Sequence, residues 1–111
     1  MGKRERKVVV LGLDGATFEV LLLMMERGEL PNLSRVMREG VWGRLKSTIP
    51  PFSVQAWVSM ATGKNPAKHG VIDFWTSTPD GAQRQFVNAS LVRGETLWDI
   101  FGRYGKRVGV V

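Results

Sequence analysis

A chain of 111 residues with 43% apolar content can close one small domain around its own core, which argues against disorder. It has no cysteine and one histidine, His69, which excludes disulfides, thiolate metal sites and any multi-histidine zinc site built from a single copy. The net charge is +6, and Lys3, Arg4, Arg6 and Lys7 crowd the N-terminus with only Glu5 among them. Residues 1–6 read as a solvated basic tail ahead of a domain over 7–111, with a phosphate-rich partner as the sharper alternative. RNP, zinc-finger and helix-turn-helix patterns are missing, so nucleic acid is not the expected ligand. Asp14 and Glu19 interrupt the apolar stretch that follows the basic residues, so no secretory core forms. Val20 to Met25 is too short to span a bilayer. A soluble cytoplasmic protein with no membrane partner is the default expectation.

In chain order, Lys7 to Leu13 reads as a parallel strand, continuously apolar and valine-rich as strands covered on both faces are. Gly12 and Gly15 flank the turn after it. Thr17 is a plausible N-cap for a helix to Arg27, closed by Gly28. Pro31 to Glu39 predicts a second helix ending at Gly40, with Leu33, Val36 and Met37 on one face. Val41 to Ser47 predicts a shorter strand. Pro50 and Pro51 keep Thr48 to Phe52 out of regular structure.

Ser53 to Ala61 predicts a third helix, stopping near Gly63, and Lys64 to Gly70 a basic loop. Val71 to Trp75 and Gln83 to Ala89 read as short strands, turned by Pro79-Asp80-Gly81. Thr96 to Tyr104 predicts an amphipathic helix with Leu97, Ile100 and Phe101 inward and Gly105 as its cap. Lys106 to Val111 opens another apolar strand. Alternating strands and helices argue for an α/β layered fold with a largely parallel sheet. The last apolar strand has no helix after it. The expectation is a polypeptide that continues, or a second copy that covers this edge, so the chain standing alone should be a homo-oligomer.

Two residues carry the chemistry. Asp14 ends the run Val8 to Leu13 at the carboxyl end of a strand, where open α/β sheets form their sites. Its hard oxygens suit a divalent cation, and the alternative is a turn aspartate capping the next helix. Ser53 opens a helix 39 positions later, beside N–H groups that favour anions. It reads as a helix cap or as a nucleophile, and contact with a cation would lower its pKa. Lys64 and Lys68 sit in a loop that lacks the Walker pattern, and Lys64 is the candidate for contact with an anionic substrate, beside the reading of this segment as a plain polar loop. The four tryptophans, Trp42, Trp57, Trp75 and Trp98, read as core and interface anchors.

Several segments together resemble the alkaline phosphatase superfamily, and within it the type I phosphodiesterase/nucleotide pyrophosphatase branch. They are Val8 to Gly15, Leu30-Pro31-Asn32-Leu33, Pro50 to Trp57, Thr62 to Val71, Thr96 to Ile100 and Gly105 to Gly109. The resemblance spans almost the whole chain and corresponds to that family's N-terminal portion. It implies an αβα sandwich, a phosphate-ester substrate and two divalent cations, usually zinc. It assigns the first metal-ligating aspartate to Asp14. The nucleophile, a hydroxyl nine residues before the Thr-Gly pair, falls on Ser53, which would also touch the metal and carry a covalent phosphoryl group. Serine stands where that branch usually has threonine, and Val54-Gln55 departs from its usual proline-containing stretch. His69-Gly70 matches a family pair and is expected to shape a loop rather than bind metal.

The family's other aspartate and histidine ligands lie downstream of the matched region. Asp73, Asp80, Asp99 and His69 are further candidates that no spacing brings together. This chain alone is therefore expected to be inactive. The other readings are a non-catalytic phosphate-binding module and a truncated structural fragment that self-associates.

Overall fold

The structure is a computed structural model and describes residues 7–111, so the expected basic tail at 1–6 lies outside the described residues. The chain divides into two compact units, up to Leu45 and from Lys46 to Val111.

The first unit is a helical pair. Helix α1 spans Phe18–Glu26 behind the N-cap Thr17, and α2 spans Pro31–Glu39 with Pro31 in its first turn. Proline fits there because the first helical N–H has no intrahelical acceptor to lose. Gly28 closes α1 at φ +74°, a conformation that residues with a Cβ adopt at a cost. On α2, Leu33 and Met37 are half-buried and Val36 is exposed, so the expected apolar face is only partly covered. Phe18 packs on Trp42 with ring centroids 5.4 Å apart. Arg44 crosses the same ring and reaches Glu19 at 3.1 Å.

The second unit carries the rest. Helix α3 spans Ser53–Thr62 and ends on Gly63 in the left-handed conformation. Helix α4, Pro66–His69, occupies what the sequence suggested was loop. Its cap is Asn65, whose side chain accepts from the Lys68 N–H at 3.0 Å, and Pro66 supplies a preset φ. Strands β1, Trp75–Ser77, and β2, Arg84–Phe86, pair antiparallel in the register Trp75 to Phe86. A hairpin with this turn was expected, but its first strand lies later than the expected Val71 to Trp75 and shares only Trp75 with it, while the second is shorter than Gln83 to Ala89. The turn closes through Gly81 N–H to the Thr78 carbonyl, and Trp75 stacks on Phe86 at 3.7 Å. A 3₁₀ turn at Ala89–Leu91 leads to α5, Leu97–Arg103. Thr96 and Asp99 form a reciprocal capping box at the start of α5. Helix α3 rests against α4 and α5.

Two expectations change. The segments 7–13, 41–47 and 106–111, read as parallel strands, form no ladder among the described residues, whose one sheet is the β1–β2 pair. Their apolar side chains are exposed, Val9 at 90% and Leu45 at 93%. A strand exists only through the ladder bonds of a neighbouring strand, and among the described residues these segments have no strand partner. The inward face expected for α5 is also thin, since Ile100 is half-buried while Leu97 and Phe101 are exposed. Of the tryptophans, Trp57 is half-buried and Trp42, Trp75 and Trp98 are more exposed. The fully buried described residues are Gln55, His69 and Val71, all in the second unit.

Candidate functional site

Ser53 is the first residue of α3, one past the N-cap Phe52, so its hydroxyl stands at the helix start without serving as the N-cap. The approach to it is fixed by one backbone oxygen. The Pro50 carbonyl accepts from the Thr48 hydroxyl at 3.1 Å, from the Phe52 N–H at 3.0 Å and from the side-chain amide of Gln55. The Ile49–Pro50 peptide in this loop is cis. Gln55 sits at the third helical position, 1% exposed, and reaches back across the turn to that carbonyl. A glutamine at this position can accept from the N-cap N–H in a capping box, whereas here it donates to the loop.

Behind α3 lies His69, fully buried. Its Nδ1 accepts from the Val71 N–H at 3.1 Å, and its Nε2 lies 2.9 Å from the Ser59 hydroxyl. A ring nitrogen that accepts carries no proton, so these bonds assign the neutral tautomer with hydrogen on Nε2. Burial holds this histidine below the usual imidazole range, and a backbone hydrogen bond with Gln55 partly opposes that shift. The expectation that His69 shapes its loop is met, because the ring pins both the 69–71 backbone and α3.

Asp14 lies in the first unit, exposed, in a turn that Gly15 completes at φ +68°. Lys64 lies beyond Gly63 at the C-terminal end of α3. Ser53 opens the other end, roughly 15 Å away along the helix axis. The Lys64 ammonium packs against Gly94, in the space that an added Cβ would occupy. The structure therefore does not bring Lys64 to Ser53.

The remaining acidic candidates serve local structure. Asp73 accepts from the Phe74 N–H at 2.6 Å. Asp80 takes the Thr78 hydroxyl and the Ala82 N–H, which together hold its carboxyl below the usual range. Asp99 is lowered in the same way, by the hydroxyl and then the N–H of Thr96. Among the described residues no three His, Cys, Asp or Glu side chains stand together as a metal site. One carboxylate and one hydroxyl do not make a metal centre, so these residues alone do not fit the two cations expected from the resemblance.

Residues 8–111 match the sequence profile of the type I phosphodiesterase/nucleotide pyrophosphatase family. The chain belongs to that family. Membership supports a phosphoester-hydrolase function on a phosphate-ester substrate, in a group that is generally metal-dependent, with an alkaline-phosphatase-like α/β fold. Neither the curated proteins nor the solved structures compared with the chain gave a match. No helix among the described residues is long and apolar enough to cross a membrane. What sequence reasoning missed for this phosphodiesterase-family chain is Gln55. The available signal was a glutamine three places into a mostly apolar helix, shortly after Pro50-Pro51.

Proposed function

We propose that this chain carries the nucleophile and the first metal ligand of a phosphodiesterase-type hydrolase. The supporting observation is Ser53 at the start of α3, delivered by a loop whose conformation three donors hold on one carbonyl. A hydroxyl there stands at the positive end of a helix, where backbone N–H groups favour a phosphoryl group. Ser53 Oγ attacks phosphorus and gives up its proton. The bond to the departing alcohol breaks, that alcohol takes a proton, and a phosphoserine remains. Water then attacks the phosphoserine, releasing the phosphate product and returning the hydroxyl.

Asp14 would contribute one hard oxygen to a divalent cation, with zinc and a pair of cations as our reading. When bound, such a cation supplies Lewis-acid stabilisation of charge on the phosphoryl oxygens. The other ligands come from further polypeptide or from a second copy. We assign the segments 7–13, 41–47 and 106–111 to the parallel sheet of an αβα sandwich completed in that assembly. Residues 1–111 alone are then inactive. A second reading, an anion-binding module without chemistry, shares the start of α3 but loses Lys64 to the far end of that helix.

The test is metal-dependent hydrolysis of bis-p-nitrophenyl phosphate. None is expected from residues 1–111. In the assembly that supplies the remaining ligands, activity is expected and is lost in Ser53→Ala and in Asp14→Asn. Hydrolysis that survives Ser53→Ala refutes the assignment of the nucleophile.

A further inference from the structure

We infer that the cavity between the β1–β2 hairpin and the segment 91–93 binds a small organic phosphate, whose oxygens meet Arg93 and whose compact apolar group lies against Val87 and Leu91. None of these residues takes part in the hydrolysis proposed above, so the site stands or falls separately from it.

The hairpin is turned with its polar side inward. Side chains alternate between the two faces of a strand, and beside the pair Trp75–Phe86 the next pair in register is Thr76–Gln85. Thr76 and Gln85 are half-buried, whereas Trp75 and Phe86 stack on the exposed face. A hairpin that merely covered a core would turn the aromatic pair inward. Thr76 and Gln85 instead line a cavity of about 200 Å³ together with Arg93 and Gly70, and Val87 and Leu91 give it an apolar wall.

The charge in this cavity is not offset. The Arg93 N–H donates to the His69 carbonyl at 2.9 Å, and its side chain runs over Gly70, which leaves room for it at φ +82°. Among the described residues, no hydrogen bond or ion pair engages the Arg93 guanidinium or the side chains of Thr76 and Gln85. Glu95, two positions on, is held by Arg103 at 2.7 Å. No Asp or Glu lines the cavity, and Lys64 against Gly94 adds a second positive charge beside Arg93. A guanidinium, a hydroxyl and an amide are all donors, and they come from two separate elements. That arrangement suits a tetrahedral head with three free oxygens better than a planar carboxylate with two. Size sets the rest of the ligand. Pockets for drug-sized molecules measure roughly 300–1,000 Å³, so this one takes a phosphate with a small apolar group and not a nucleotide.

Titration of residues 1–111 with phenyl phosphate, followed by ¹⁵N–¹H NMR, tests the site. The amides of Thr76, Gln85 and Arg93 should shift together and saturate. Inorganic phosphate and benzoate should move the same amides with weaker affinity, and phenol should leave them still. Arg93→Ala should weaken phenyl phosphate by at least about tenfold, the loss of one charge-assisted contact. Gln85→Met should weaken it severalfold and provides a second reading should Arg93→Ala disturb the fold. Arg84, whose guanidinium lies over Trp75 on the outer face, is the control for general charge, and Arg84→Ala should bind as the parent does. Equal losses in Arg84→Ala and Arg93→Ala overturn the inference. So does phenol or benzoate binding as tightly as phenyl phosphate. Shifts confined to the start of α3 around Ser53 also overturn it, and they leave the hydrolase reading intact.

Discussion

Replacing His69 by alanine removes the acceptor of a buried amide and leaves a hole where the ring was. The Val71 N–H, on a residue 1% exposed, then has no partner, which costs about 1–3 kcal/mol. The emptied ring volume adds about 2 kcal/mol for a site that relaxes only in part. Loss of the Ser59 contact adds little, because Ser59 is half-buried and water can replace the ring. The sum is about 4 kcal/mol, a large share of the roughly 5–15 kcal/mol that holds a domain. His69→Asn returns a side-chain oxygen near the position of Nδ1, so it should cost about half as much, roughly 2 kcal/mol. Lys68→Ala, on the exposed neighbour, should stay within about 0.5 kcal/mol. Urea unfolding followed by far-ultraviolet circular dichroism measures all three. An alanine variant within about 1 kcal/mol of the parent, or alanine and asparagine variants of equal stability, would refute the account of Val71.

Further outcomes follow from the same geometry. The native His69 titrates below 6.5 while the unfolded chain takes its proton near 6.5, so the unfolded state binds more protons between those values. This contribution to stability is whole above 6.5, falls as pH drops toward the native value and levels off below it. Urea midpoints at pH 7.5 and pH 5 should therefore differ more in the parent than in His69→Asn, at conditions of about these pH values. Gly63→Ala should cost about 1–2 kcal/mol from backbone alone, since φ is +64° and no atom lies within 4 Å of the added Cβ. Asparagine there should cost less, and thermal melts would rank the two. Gly94→Ala drives a Cβ into Lys64, so adding Lys64→Ala should recover part of its loss in the same melts. Thr96→Ala should cost about 1 kcal/mol as a lost helix cap. It should also let the Asp99 carboxyl titrate higher by NMR, because the Thr96 hydroxyl is the first cause of its lowering.

The helices were legible because their ends are written in local chemistry. Thr17, Pro31 and Thr96 mark starts, and Gly28 and Gly63 mark stops. The hairpin turn was legible from Pro79-Asp80-Gly81, although the first strand formed beyond the expected Val71 to Trp75 and the second was shorter than Gln83 to Ala89. Helix α4 was missed because four residues offer no periodicity, and only Asn65-Pro66 marked its start. The segments 7–13, 41–47 and 106–111 have strand composition, but composition does not provide a neighbour to pair with. Ser53 was placed at its helix start by the sequence pattern. Its supporting contacts were hidden, because the bonds of Gln55 and His69 run between positions 5 and 10 residues apart and depend on how a loop folds back.

The Pro50 oxygen has one more implication, for how this loop tolerates change. A main-chain carbonyl is common to all amino acids, so no codon change deletes the receiving half of the contact. Mutational sensitivity is displaced onto the givers. Thr48 and Gln55 can lose theirs through a side-chain change, while Phe52 gives from its own backbone and loses it only to proline. Variation at position 52 should therefore be read as a question of bulk and exposure, and variation at position 55 as a question of loop shape.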